Sequence, residues 1–269
     1  MTRVVIISDT HCGHAVGLTP PQHQGVPAGM PKPRKNKLLE VQGACWNFFA
    51  REIEALRPID VLILNGDAVD GRGVRSGGTE QITVDMNNQV EIAVDCTQFC
   101  KAGEVHMTYG TASHTGEEQD WEDSIAKQVK ASSIGSHQWI DVHGLVFDCK
   151  HHLSSSGIPH GRTSAISRER LWNVLWTEHS EAPKGDIIIR SHVHYHNYAG
   201  GSNWLALSTP ALQGLGTKYG ARRCSGTVDY GLVHFDVSKD GSYEWAAHIG
   251  KIPEQRATVT KTLASASRK

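Results

Sequence analysis

No stretch of this chain stays apolar over the roughly 20 residues that a bilayer span requires. Its N-terminus, Met1-Thr2-Arg3 followed by Val4-Val5-Ile6-Ile7, has too short an apolar run for a signal-peptide core and lacks a small-residue cleavage site. The expectation is a cytoplasmic protein with no membrane partner. Neither sign of charge is in excess. The 27 Lys plus Arg stand against 28 Asp plus Glu, for a net charge of -1, which speaks against bulk polyanion binding and leaves a local basic patch open. Cysteine is scarce: the six are Cys12, Cys45, Cys96, Cys100, Cys149 and Cys224, none in C-x-x-C spacing. That excludes the usual zinc and disulfide patterns. Cys96 and Cys100, one helical turn apart, read as buried thiols, which suits a reducing compartment. Internal repeats and linkers are also missing. The 269 residues suffice for a full core, read as one domain over residues 1–252 with a polar, flexible tail over 253–269.

Apolar runs bounded by polar residues supply the elements. Val4 to Ile7, Val61 to Leu64 and Val105 to Tyr109 read as strands buried on both faces. A helix carrying Trp46, Phe49, Ile53 and Leu56 on one face ends before Pro58, and a second helix is expected over Glu80 to Lys101. Strand, helix, strand, helix, strand predicts right-handed crossovers and a parallel sheet. Gly13 to Lys37, rich in Pro and Gly, reads as a long loop with a basic end. Gly71 to Gly78 reads as a flexible loop, and Asp120 to Ala131 as a short amphipathic helix. Gln138 to Val142 and Leu145 to Cys149 flank His143-Gly144 as a hairpin. A helix near Thr163 to His179, a strand at Ile187 to Ile189 and three further strands near Trp204, Val228 to Val237 and Tyr243 complete the pattern.

Histidine is abundant, with 16 residues, and it collects at strand ends beside carboxylates. Asp9-Thr10-His11 follows the first strand, and Gly66-Asp67 with Asp70 the second. His151-His152 and His192-Val193-His194 follow later strands. In open α/β sheets the site lies at the carboxyl ends of the strands, so these residues are expected to converge. Carboxylate plus imidazole suits Mn, Fe, Zn or Ni better than Mg or Ca. Taken alone, Asp9 reads equally as a turn or cap residue, and a histidine pair as packing; the conjunction carries the weight.

Ser8-Asp9-Thr10-His11, Gly66-Asp67-Ala68-Val69-Asp70, a Gly-to-His segment after the third strand, His151 and His192-Val193-His194 together resemble the calcineurin-like metallophosphoesterase superfamily. The motifs span roughly residues 4 to 196. The resemblance implies an α/β fold of two β-sheets packed as a sandwich flanked by helices, α/β/β/α, in a single domain. It implies two divalent metal ions, manganese foremost, with iron, zinc or nickel as alternatives. Asp9, His11 and His194 match ligands of the first ion, Asp67 the bridging carboxylate, and His151 and His192 ligands of the second. His152 competes with His151, which is favoured.

One segment departs from the family pattern of Gly-Asn-His. Here Gly110-Thr111-Ala112-Ser113-His114 lacks the Asn and carries two extra residues. Thr111 or Ser113 could supply an oxygen to the second ion, or His114 could bind it. The preferred reading keeps His114 on the phosphate side as the acid for the leaving group, oriented by Asp70. A hydroxide shared by the two ions would attack phosphorus, since coordination lowers a water pKa from 15.7 to about 7. Arg72, Arg75, Arg162 or the group Lys218, Arg222 and Arg223 could hold phosphoryl oxygens. The expected partner is a phosphoester, with a lean to phosphodiester cleavage in a nucleotide or nucleic acid. That lean rests on the basic segment Lys32 to Lys37, on Arg222-Arg223 and on Trp121, Trp139, Trp172, Trp176 and Trp204 as stacking surfaces. A phosphomonoesterase and a non-catalytic metal-binding scaffold of the same fold are the alternatives.

Overall fold

The computed structural model describes residues 1–27, 29–116, 119–154, 158–215, 227–252 and 259. Lys218, Arg222, Arg223, Cys224 and nearly all of the expected tail lie outside the described residues.

Strand β1 (Thr2–Ile7) is followed by helix α1 (Lys32–Leu56), β2 (Val61–Asn65), α2 (Met86–Phe99) and β3 (Glu104–Thr108). A single helical turn, α3 (Ala112–Thr115), then α4 (Trp121–Val129) and the short β4 (Ser133–Gly135) come next. The hairpin β5 (Gln138–Val142) and β6 (Leu145–Cys149) leads to α5 (Gly161–Glu178), β7 (Ile187–Arg190), β8 (Asn197–Gly201), β9 (Trp204–Ser208), β10 (Tyr230–Val237) and β11 (Tyr243–Gly250).

Two sheets result. One runs β11-β10-β1-β2-β3-β4 and the other β5-β6-β7-β9-β8. Neighbours from β1 to β4 are parallel, as are β6, β7 and β9. The alternation of the strands explains the layering. Val4 and Ile6 of β1 and Val61 and Ile63 of β2 face Phe147, Ile187, Ile189 and Leu207 across the sandwich. Val5, Ile7, Leu62 and Leu64 point the other way, into Phe49, Ile53, Val90 and Ile125 of α1, α2 and α4. On the outer face of the second sheet, Ala165 and Ile166 of α5 cover Ile188 and Ala206. The layers are therefore α/β/β/α. No helix among the described residues is long and apolar enough to cross a membrane.

Three sequence expectations need correction. The loop from Gly13 does not reach Lys37: α1 begins at Lys32, because proline is tolerated in a first helical turn and Pro31 and Pro33 mark the start of the helix. The second helix starts at Met86, not near Glu80, where Asp85 caps it by accepting a hydrogen bond from Asn87 N. Strands β4 and β8 were not anticipated, since Ser133–Gly135 and Asn197–Gly201 lack an apolar alternation.

Candidate metal centre

The expected ligands all leave the carboxyl ends of parallel strands. Asp9 and His11 follow β1, Asp67 follows β2, His151 follows β6, and His192 and His194 follow β7. Each sheet thus delivers half of a cluster at one rim of the sandwich. The backbone there is contorted. Asp9, His11, Asp67, His192 and His194 have φ of 49°, 42°, 52°, 74° and 55°, the left-handed region that non-glycine residues avoid. Each costs about 1–3 kcal/mol and persists where the surroundings impose it, typically at functional sites. The approach of the segments is also tight: a Cβ on Gly110 would lie 2.2 Å from Asp67 N, and one on Gly66 would lie 2.5 Å from His151 Nδ1.

Three triads of donor atoms converge, each with its atoms within 4.8 Å of one another: Asp9, His11 and His194; Asp67, His151 and His192; and His11, Asp67 and His114. His194 Nε2 lies 3.2 Å from Asp9 Oδ1 and 3.3 Å from His11 Nε2. His151 Nε2 lies 3.0 Å from Asp67 Oδ2. Asp67 touches both halves, since its Oδ2 is also 3.8 Å from His11 Nε2. Asp9 Oδ1 and His151 Nε2 are buried with no hydrogen bond. Buried polar atoms are normally satisfied, so these two inward-facing atoms fit coordination.

The outer ring nitrogens are spoken for. His11 Nδ1 donates to Asp70 Oδ1 at 3.0 Å, and His151 Nδ1 donates to the Asn65 carbonyl at 2.8 Å. Each bond fixes the tautomer that leaves Nε2 with a lone pair facing the cluster. Without an ion, burial pushes the His151 imidazole down, yet ionised Asp67 and Asp9 override it and hold it up at about 10. Burial likewise pushes Asp9 up, but His194 and His151 bring it down to about 2. Asp67 is held well below the usual carboxylate range, against its burial, chiefly by His151. Burial and nearby His151 lower His192 to about 4.

Asp70 meets His114 more closely through its backbone than through its carboxylate. Its carboxylate goes to His11, with Gln81 Nε2 donating to the other oxygen at 2.6 Å. His114 Nδ1 instead donates to the Asp70 carbonyl at 3.0 Å, and its carboxylate contact is the longer one, 3.7 Å. His114 packs edge-on against His11 at 4.7 Å between ring centroids. Thr111 enters between the two halves: its backbone N donates to Asp67 Oδ1 at 2.5 Å, and its Oγ1 lies 3.3 Å from Asp67 Oδ2 and 3.2 Å from His192 Nδ1. Ser113 is exposed. His152 is exposed too, its ring 4.7 Å from that of His192, while the buried His151 reaches the cluster.

Arg72 is exposed beside Gly71, whose Cβ position lies 2.9 Å from the His114 carbonyl oxygen. Arg162 stacks over the ring of Tyr195, next to His194, at 4.0 Å. Trp121 and Trp204 pack against the cores, Trp139 stacks on His137, and Trp172 stacks on Trp176 while remaining exposed.

Sequence reasoning missed what lies under the cluster. Ser8 Oγ and Ser191 Oγ each sit 2.7 Å from Thr209 Oγ1. Asn65 Nδ2 donates to Ser191 Oγ at 2.6 Å and Thr108 Oγ1 donates to Asn65 Oδ1 at 2.9 Å. This buried chain ties the ends of both sheets together. A polar residue closing an apolar run was the available signal for Ser8, Asn65 and Thr108; none marked Thr209.

Two sheets lie face to face between helical layers, with Asp and His gathered at the carboxyl ends of parallel strands from both, the α/β/β/α arrangement that the sequence resemblance implies. No family model matches the chain, and no curated protein matches its sequence. Solved structures with a similar course include a novel archaeal phosphodiesterase at 13% identity, covering 92% of this chain and 100% of the other, with a TM-score of 0.47. Wild-type Vps29 complexed with zinc from Entamoeba histolytica has the same identity, coverage of 92% and 99%, and a TM-score of 0.47. A predicted phosphoesterase from Streptococcus pneumoniae is 11% identical, with coverage of 92% and 98% and a TM-score of 0.35.

Proposed function

We propose that the chain is a metal-dependent phosphoesterase that uses two divalent ions, manganese first among Mn, Fe, Zn and Ni, and that it acts on phosphodiesters of nucleotides or nucleic acids. The observation that supports it best is that buried Asp9 Oδ1 and His151 Nε2 make no hydrogen bond and meet only other expected ligands, His194 and Asp67, among left-handed residues in interlocking triads. Asp9, His11 and His194 would hold one ion, His151 and His192 the other, and Asp67 would serve both. Thr111 Oγ1, beside Asp67 and His192, is the oxygen that favours Thr111 over Ser113 as the substitute for the missing Asn. When bound, the ions supply Lewis acidity and a water acidic enough to act as nucleophile near neutral pH.

The protein's own groups divide the remaining work. Asp70 aims His11. His114, held at Nδ1 by the Asp70 carbonyl, would turn Nε2 toward the departing oxygen as its proton donor. Arg72 and Arg162 are the candidate cations for phosphoryl oxygens. The exposed basic start of α1, Lys32 to Lys37, supports the lean to nucleotides and nucleic acids. The proposed compartment is the cytoplasm, where free thiols persist.

Chelated protein given Mn, Ni, Zn, Mg or no metal should cleave bis-p-nitrophenyl phosphate in a metal-dependent way, faster than p-nitrophenyl phosphate. Cleavage of the monoester alone would replace the diester reading with a phosphatase. Silence with every metal, in protein that still binds two ions, would sink the hydrolase reading and favour the scaffold.

A further inference from the structure

Glu122 lies in the first turn of α4, fully buried, and neither its sequence position nor the chemistry above uses it. Its Oε1 accepts from Ala68 N at 2.8 Å and its Oε2 from Gly110 N at 2.6 Å. Those two N–H groups belong to the segments that carry Asp67 and Thr111. The parallel ladder between β2 and β3 ends at the pair Asn65 and Thr108, so beyond it the two backbones have no ladder to hold them in register. They nevertheless stay close enough for Thr111 N to donate to Asp67 Oδ1. One carboxylate spans the gap, inserted from the helical layer and set by the Asp120 cap, whose Oδ1 accepts from Glu122 N at 3.1 Å.

We infer that Glu122 is a positioning residue: its carboxylate clamps the Asp67 and Thr111 segments together and thereby sets the geometry of the second metal position, the one shared by Asp67, His151 and His192. The inference rests on the metal-centre reading above. Burial pushes Glu122 up to about 8 against the two N–H bonds; once ionised, the carboxylate is acceptor-only at both oxygens, whereas a glutamine amide turns a donor toward one of the two N–H groups, so the contrast is read above pH 8. The loss at Glu122→Gln should therefore fall on the register of the two segments, in a side chain of nearly equal size. Asp9, His11 and His194 of the first position hang from β1 and β7, so that position should lose less than the second, although Asp67 would serve both.

The test is a Mn2+ titration of metal-stripped full-length protein, read by calorimetry, by metal analysis after dialysis and by electron paramagnetic resonance. Wild type is expected to bind two ions with a spin-coupled signal. E122Q should bind the second ion at least about tenfold more weakly, as removal of groups supporting ligands commonly does, lose the coupled signal, and weaken the first ion by a smaller factor. Asn173→Ala serves as the control, since Asn173 is buried in α5 and bonds Asp148 and Gly185, far from these segments in the layering. It should lower the melting temperature and keep both ions. Glu122→Asp, too short to reach both N–H groups, reads the same titration if E122Q does not fold. Two ions bound by E122Q or E122D with wild-type affinity would overturn the inference, as would an equal loss of the second ion in N173A. Wild type that binds two coupled ions without hydrolysing any ester would sink the hydrolase reading and leave the Glu122 result standing. Wild type that binds no ion would overturn both.

Discussion

Asp70 and Asp67 show how two carboxylates three residues apart come to do different things. Asp67 faces both halves of the cluster, so Asp67→Asn should remove the charge shared by the two positions, release metal and abolish turnover; retained activity would refute the bridging role. Asp70 belongs to none of the three donor triads among the described residues. Its carboxylate accepts from His11 Nδ1, so Asp70→Asn should weaken the first metal position by about 10- to 100-fold, the usual scale for losing an outer partner of a ligand histidine. If D70N instead kept both ions and lost activity only toward esters with poor leaving groups, the carboxylate would be acting on His114 after all. His114→Ala should keep its metal and lose about 10²- to 10⁴-fold in turnover of poor leaving groups, the span typical of general acid catalysis. Activated aryl esters should suffer much less. Loss of an ion from H114A would reassign His114 to the triad it forms with His11 and Asp67.

At the level of elements, the strand ends were readable and the ground beneath them was not. Val4–Ile7, Val61–Leu64 and Ile187–Ile189 announce themselves as apolar runs, and each is followed at once by its ligands, so the order of ligands along the chain could be read before any contact was known. Gly13–Lys37 was misread at its end because two prolines look like loop residues until a helix start is considered. Glu122 and Thr209 were invisible because their roles come from elements that meet only in space. The buried chain Ser8–Thr209–Ser191–Asn65–Thr108 is of that kind, and it has a measurable role. Asn65→Val should strand the hydroxyl of Thr108, while Ser191 keeps Thr209, and cost about 1–3 kcal/mol, the scale for one unsatisfied buried polar group. Urea unfolding at a fixed metal concentration reads this; a change under 0.5 kcal/mol would mean the chain is not a structural tie.

Across the whole molecule, the centre is where one sheet meets the other: Asp9, His11 and Asp67 come from the first, His151, His192 and His194 from the second. Ions held there would couple the layers, so metal should stabilise the entire fold by mass action, about 2.7 kcal/mol at a free concentration one hundred times the dissociation constant. The same site competes for protons. In the metal-free protein the imidazole of His151 is held up at about 10, above its unfolded value. Its contribution to metal-free stability is therefore fully present below about pH 6.5 and fades as pH rises through 10. Asp9, depressed to about 2, contributes above its unfolded value near 3.9 and loses that contribution as pH falls toward 2. A bound ion replaces the proton on His151, so binding at pH 7 should release at least one proton. The melting-temperature gain from Mn2+ should widen from pH 6 to pH 9, because the falling proton concentration competes less well for His151 while the metal-free fold loses its His151 contribution. Calorimetry in buffers of different ionisation enthalpy measures the release, and thermal melts with Mn2+ or chelator measure the gain. A binding enthalpy independent of buffer, or a gain that shrinks as pH rises, would mean that the ions do not displace the His151 proton and that the ring lies outside the coordination shell.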